Sequence, residues 1–289
     1  MKNKSKIQAV IAGLILFVNV AAAHAGVPLN NVEGVGGIAF NPLAYTAGTP
    51  FDKTEKTESG FSIKDVVAKP QFGFWRIRLN DVKADWTTVG VATTFLDRLE
   101  VSYGNETIAQ NGADNIHKNN VGLKGLLLKE NAFDTKWVPA VAVGTIYKDT
   151  SYHTTGDVKD HGFDYYAVAT KLIPDVLTRP VLISGGIRST DARSTGVYGF
   201  GTKRKLAGFG NIDVILPGNV AVGFEYEQGA GVKGWKNANY YDAHVAWLAN
   251  KNLTLVAAYV NTGDSKHNGV ADHKIGLGDG FVLSAQYAF

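Results

Sequence analysis

Counting back from the C-terminus, Phe289, Tyr287, Ala285, Leu283 and Phe281 are all apolar, and Ala288, Gln286 and Ser284 lie between them with Val282 as the one aliphatic exception. In a strand that alternation sets one apolar face against one mixed face. An apolar strand ending on an aromatic residue is an aggregation hazard in water, because neither its edge nor its face has cover. It suits a last strand that closes a barrel in lipid, and its residues Phe281, Tyr287 and Phe289 resemble a Phe-terminated assembly signal. The same period of two recurs from Pro70 onward. It predicts twelve strands, near 70–79, 86–95, 98–107, 119–129, 137–148, 163–173, 180–189, 204–216, 219–228, 239–248, 252–261 and 279–289.

The connections sort by parity. Those after the even-numbered strands are compact, as at Leu96-Asp97 and Pro217-Gly218. Those after the third, fifth, seventh, ninth and eleventh strands are long and polar, as at Asp149 to Gly162 and Thr262 to Gly278, with Asn80 to Asp85 the short exception. An even strand count with sorted loops predicts an all-β fold: a transmembrane, antiparallel, up-and-down β-barrel with both ends of the chain on the compact side. Stripes such as Val121, Leu123, Gly125 and Leu127, or Val220, Val222, Phe224 and Tyr226, are about the length that a bilayer asks of a tilted strand. One girdle of aromatic residues is expected at Tyr103, Tyr147, Tyr166, Tyr226, Tyr241, Tyr259 and Phe281. A second is expected at Phe95, Trp137, Trp247 and Phe289.

Composition narrows the compartment. Lys2, Lys4 and Lys6 precede an apolar run from Ala9 to Ala23 and the small-residue site Ala23-His24-Ala25, so residues 1–25 read as a cleaved signal peptide. The net charge of +3 falls to zero without those lysines, which removes the electrostatic case for a nucleic-acid partner. With no cysteine there is no disulfide framework, thiol nucleophile or thiolate metal site. After the leader no apolar run approaches the length of a membrane-crossing helix. The glycine-rich, aromatic-rich remainder is that of an all-β envelope protein, and with the barrel pattern the expected location is the bacterial outer membrane, with lipid and the barrel-assembly machinery as expected partners.

Residues 26–69 do not read as barrel wall, so the expected division is 26–69 as an N-terminal plug or periplasmic segment and 70–289 as the barrel. Gly36, Gly37, Phe40, Pro42 and Tyr45 lie in an apolar, glycine-rich stretch that is the candidate plug, because so much apolar surface would otherwise be wet. The inward set is mixed, and its candidate lumen or filter residues are Arg76, Arg78, Arg98, Glu100, Lys124, Lys171, Arg188, Asp213, Glu225, Glu227, Asp242 and His244, with Glu106, Lys148 and Lys205 beside them. Basic residues dominate the first seven strands and acidic ones the eighth to tenth, so a closed cylinder sets a cationic wall opposite an anionic one. Such a transverse field orients small polar solutes in a narrow pore. The alternative is that these charges pair with one another or with the plug.

Other chemistry has thinner support. There is no Gly-x-Ser-x-Gly elbow and no His-Glu-x-x-His helix, so no catalytic, cofactor-binding or metal-ligating residue is expected and the chain does not read as an enzyme. His153 with His161, and His267 with His273, share polar loops at irregular spacing, which reads as solvated loop rather than a metal site. His244 and Asp242 point the same way and are placed to pair.

The stretch Asn30-Asn31-Val32-Glu33-Gly34-Val35-Gly36-Gly37-Ile38-Ala39-Phe40-Asn41-Pro42-Leu43-Ala44-Tyr45 resembles the opening of a proteobacterial outer-membrane barrel family known only as domain of unknown function 3034. Phe95-Leu96-Asp97-Arg98-Leu99-Glu100-Val101-Ser102-Tyr103 is similar to its first tight turn. The resemblance covers nearly all of the chain after the leader. It implies an outer-membrane barrel and no activity. On the residues themselves the first expectation is a porin-like channel for passive or gated passage of small polar solutes. The second is a closed structural barrel that binds a partner or ligand through its long loops, and the third is a lipid-modifying enzyme.

Overall fold

The computed structural model describes residues 29–51, 62–110, 112–154, 156–176, 178–232, 235–268 and 273–289, so the expected signal peptide lies outside the described residues. Among the described residues, twelve strands close into one antiparallel barrel. They are β1 (Gln71–Leu79), β2 (Ala84–Phe95), β3 (Leu99–Gln110), β4 (Ile116–Leu128), β5 (Ala140–Thr150), β6 (His161–Val176), β7 (Arg179–Ala192), β8 (Phe200–Leu216), β9 (Val220–Glu227), β12 (Tyr240–Leu248), β13 (Leu253–Asn261) and β14 (Asp279–Ala288). Between β9 and β12, Gly231–Val232 (β10) and Trp235–Lys236 (β11) pair as a separate two-stranded ribbon. Each wall strand pairs with its sequence neighbour. The barrel closes where β1 meets β14, with Gln71 opposite Ala288 and Leu79 opposite Gly280.

Closure leaves no sheet edge, which answers the hazard posed by the apolar last strand. Even connections lie at one end of the barrel, here the turn end, and odd connections at the other, the loop end. Left-handed backbone makes the tight reversals: Leu96 and Asp97 (φ 52° and 53°) between β2 and β3, and Gly218 and Asn219 (φ 83° and 60°) between β8 and β9. Two connections break the expected sorting. Residues 129–139 at the turn end form a long connection with a 3-10 turn at Ala132–Asp134, and at the loop end β3 and β4 run farther than the alternation predicts, to Gln110 and from Ile116, which shortens the connection between them.

Burial alternates along the wall, strictly so in β1, β12 and β14. The outward positions form a belt of exposed large apolar side chains that includes Phe74, Val101, Leu123, Ile187, Phe224, Val245, Leu255 and Leu283. Phe281, Tyr287 and Phe289 lie on that outer face, and Phe289 packs edge-on against Phe72 across the closing seam at 5.6 Å between ring centroids. Tyr166 departs from its expected girdle position. It points inward, nearly fully buried, beside Ile146, Val168 and Phe209.

The interior holds residues 29–51. Val32, Ala39 and Phe40 of this segment share one apolar cluster with Trp75, Ile77 and Leu79 of β1, while Val35 and Ala44 share another with Ala142, Ile146 and Tyr166. This packing corrects the reading of β1. Polar-inside parity assumes a wet lumen, but β1 faces an apolar segment and turns Trp75, Ile77 and Leu79 toward it. Arg76 and Arg78 therefore face outward, 64% and 55% exposed, and pair with Asp85 across the β1–β2 hairpin near the loop end. A guanidinium there keeps its head in the polar layer while its stem lies on the apolar belt.

Candidate functional site

The site is the contact between the inner segment and the wall, and it begins with a turn built by one side chain. Asn31 accepts the backbone N–H groups of Glu33 and Val35, both at 3.0 Å, and donates from Nδ2 to the Phe40 carbonyl at 3.1 Å. Asparagine suits that work, since its amide mimics a backbone turn. The turn places Gly34, at φ 85°, directly on the wall. A Cβ at Gly104 of β3 would lie 2.5 Å from the Glu33 carbonyl oxygen, and one at Gly90 of β2 would lie 2.8 Å from Gly34 Cα. Gly90 and Gly104 are cross-strand partners, so together they make a side-chain-free seat for the segment's backbone.

Wall charges then hold that backbone from opposite sides. On β3 and β4, Glu100 and Lys124 are cross-strand partners 2.8 Å apart. Glu100 accepts the N–H groups of Gly36 and Ala47 at 2.9 and 2.7 Å. Lys124 Nζ lies within hydrogen-bond distance of the carbonyls of Gly36, Leu43 and Tyr45, at 2.9, 3.2 and 2.7 Å. From β9, Glu225 accepts the N–H groups of Ala39, Phe40 and Asn41 at 3.3, 2.7 and 3.1 Å. Neutral contacts complete the frame. Ala44 N–H donates to Thr170 Oγ1 at 2.8 Å, and Trp75 Nε1–H to the Asn30 carbonyl at 2.8 Å. A buried irregular segment must find partners for its amides somewhere. Here the wall's carboxylates and ammonium supply them.

A second cluster forms around Glu33. Its carboxylate meets Lys148, Arg188 (3.2 Å) and Lys118 (3.9 Å). Lys118 also pairs with Glu106 at 2.9 Å, Lys148 with Asp164 at 2.6 Å, and Arg188 with Asp164 and Glu227 at 3.5 and 3.7 Å. Glu33 belongs to the inner segment rather than to a wall strand. Burial alone pushes its carboxyl upward, but the charges of Lys148, Arg188 and Lys118 outweigh that and hold it below the usual carboxylate range. Farther toward the turn end, His244 bridges two acids, with Nδ1 2.6 Å from Asp242 and Nε2 2.7 Å from Asp213.

Among the expected lumen residues, Glu100, Lys124, Arg188, Asp213, Glu225, Glu227, Asp242 and His244 are inward and buried, as are Glu106 and Lys148. Four others stand elsewhere. Arg76 and Arg78 face outward. Arg98 is exposed in the β2–β3 turn, where it donates to the Leu126 and Leu127 carbonyls. Lys171 shares the outward parity of β6 and pairs with Glu130 of the β4–β5 connection at 3.1 Å. Lys205 is exposed as well. The opposed cationic and anionic walls dissolve accordingly, because the inward cations of β4, β5 and β7 sit against acids of β3, β6 and the inner segment.

The candidate plug residues all contact the wall or one another. Gly37 bridges to Pro42, Phe40 packs near Tyr240 at 6.2 Å, and Tyr45 donates its hydroxyl to Glu130 at 2.9 Å. Sequence reasoning missed Glu33, Lys118 and Asp164, as well as the seat at Gly90 and Gly104. The usable signal for the seat was two glycines at inward positions of adjacent strands. The loop end carries a closure of its own: Ser194, Gly196 and Val197 are buried, Lys118 donates to the Thr195 carbonyl at 2.9 Å, and Thr150 donates to that of Val197 at 3.0 Å.

A family model described as protein of unknown function (DUF3034) matches residues 26–274. No curated protein matches. Among solved structures the chain is similar to the Acinetobacter baumannii outer membrane protein Omp33, at 8% identity and TM-score 0.46 over 78% of this chain and 100% of that one. It is also similar to the NanC porin, at 10% identity and TM-score 0.47 over 77% and 100%. The translocator domain of the autotransporter NalP from Neisseria meningitidis is a third, at 16% identity and TM-score 0.36 over 78% and 88%.

Proposed function

The chain belongs to the DUF3034 family, and from that premise we propose that it is a plugged, porin-like barrel of a bacterial outer membrane, whose lumen passes small polar solutes once residues 29–51 release their hold on the wall. The observation that carries the reading is the manner of filling. The inner segment is held by its backbone through carboxylates and an ammonium on opposing walls, Glu100 and Lys124 on one side and Glu225 on the other. A permanent filling also needs partners for its buried amides, and neutral acceptors such as Thr170 serve for that; charged groups that hold a removable segment stay useful when it leaves, because they then line a wet path. The apolar belt and the nine- or ten-residue strands β1, β12, β13 and β14 suit lipid on the outside.

The sign of the path follows from the wall. With the segment gone, the buried wall acids are Glu100, Glu106, Asp164, Asp213, Glu225, Glu227 and Asp242, against Lys118, Lys124, Lys148, Arg188 and the His244 that bridges Asp213 and Asp242. An excess of acids in a poorly screened lumen favours cations.

Planar-bilayer recording tests this reading. The mature chain is expected to open rarely, and a variant lacking residues 29–51 is expected to conduct steadily with cation preference. A truncated barrel that is folded and silent overturns it. The second closure at the loop end favours one rival, a permanently closed barrel that presents its loops to a partner, and that rival predicts silence from both proteins.

A further inference from the structure

On the turn side of the inner segment the lumen is not filled. A cavity of about 380 Å³ opens there, walled by Leu29 and Leu43 of the segment and by Trp75, Leu182, Ile215 and Val256 of the barrel. The lining is unusual for a mouth that faces water, since such a vestibule is ordinarily polar. Trp75 donates its Nε1–H to Asn30, so the indole's hydrogen-bonding group is already engaged. Asp213 and His244 border the cavity, but His244 is held between Asp213 and Asp242, and Asp213 also accepts Asn211 Nδ2. Its polar groups are therefore turned to one another rather than to an occupant.

One cation stands apart from that closed set. Arg179, the first residue of β7, lines the mouth and is exposed, and it makes no ion pair among the described residues. Its hydrogen-bond partner there is the neighbouring Thr178 carbonyl, at 3.4 Å. We propose that this cavity is a binding site for a single-chain anionic amphiphile of the fatty-acid type, its alkyl chain in the lumen and its carboxylate on Arg179. Charge complementarity chooses the head group. A guanidinium offers a paired set of N–H donors that matches a carboxylate. Size sets the chain, because a methylene and a water each take up about 30 Å³, so the cavity seats roughly a dozen carbons. The apolar wall supplies affinity for the tail and excludes a second charged group. The site lies on the turn side of the inner segment and needs no opening of the lumen, so its failure leaves the plugged-barrel reading untouched.

Trp75 makes the test direct. Mature protein in phosphatidylcholine nanodiscs is titrated with 11-bromoundecanoate while tryptophan fluorescence is followed. Binding gives a saturable quenching component that vanishes in Trp75→Phe. Ala246→Phe, which fills the cavity from β12, removes that component, and heat-modifiable migration on gels shows whether this variant folds. Arg179→Gln, at an exposed site that leaves the core alone, weakens the carboxylate probe about tenfold, and leaves the matching bromoalkanol unchanged. Quenching of the same size in Trp75→Phe means that the probe reaches outward residues such as Trp247 from the bilayer, and the proposal falls. It falls equally if Arg179→Gln binds the carboxylate as tightly as the native chain, or if folded Ala246→Phe keeps native affinity.

Discussion

Replacing Glu225 by alanine removes the acceptor of three backbone N–H groups, those of Ala39, Phe40 and Asn41, at a position with no solvent exposure. Each buried donor left without a partner costs about 1–3 kcal/mol. Three of them set an upper figure near 9 kcal/mol, which water admitted beside the shortened side chain reduces. Glu225 also stands opposite Asp242 across the β9–β12 pair, and the substitution removes that contact between carboxyl groups. The contact is present with the segment in or out, so its loss largely cancels from the difference between the two states. Taking about 3 kcal/mol as the net weakening of the closed state, the open population rises on the order of a hundredfold. Single-channel recording reads this directly as open probability, with Glu225→Gln between the native chain and the alanine variant because one amide oxygen still accepts. If Glu225→Ala is folded and opens no more often than the native chain, while removal of residues 29–51 does produce conductance, the carboxylate does not hold the segment and the reasoning fails.

Three further outcomes are expected. Gly104→Leu places a side chain where even a Cβ would lie 2.5 Å from the Glu33 carbonyl oxygen, so the segment must shift, at a cost of about 1–3 kcal/mol, and limited proteolysis should cut residues 29–51 faster than in the native chain. Because the charges around Glu33 hold its carboxyl below the unfolded value of about 4.3, its contribution is complete above that unfolded value and is lost as pH falls below it; open probability should rise below about pH 4, and Glu33→Gln should reduce that rise. Arg76→Ala with Arg78→Ala removes an exposed pairing with Asp85 on the outer face, so ion selectivity of the barrel lacking residues 29–51 should not change and stability should move by less than about 1 kcal/mol; a selectivity shift would put these side chains back in the path.

Much of the wall was legible in the chain because its outer face meets one kind of surroundings. An apolar exterior imposes a side-chain type at every second residue. The alternation therefore yields the twelve strands, their bounds within a few residues and the closing role of Phe281 to Phe289, whatever the rest of the molecule does. Loop parity followed from the same count, and it failed locally at 129–139 and between Gln110 and Ile116, where strand length depends on pairing rather than on period.

The interior obeys no such uniform rule. Inward side chains meet residues 29–51 on some strands and one another elsewhere, so their character is set by contacts far apart in sequence, such as Glu33 with Lys148 and Arg188, or Glu225 with Phe40. That is why Arg76 and Arg78 read as inward although β1 turns Trp75, Ile77 and Leu79 to an apolar segment, and why charges that seemed to separate into two walls are interleaved pairs. The sequence by itself determined a twelve-stranded barrel with an apolar exterior and a charged, glycine-marked interior. Only the tertiary structure decided which charges hold the inner segment, which wall glycines seat it and where the lumen stays empty, because each of these depends on complementarity between surfaces that meet only after the sheet has closed.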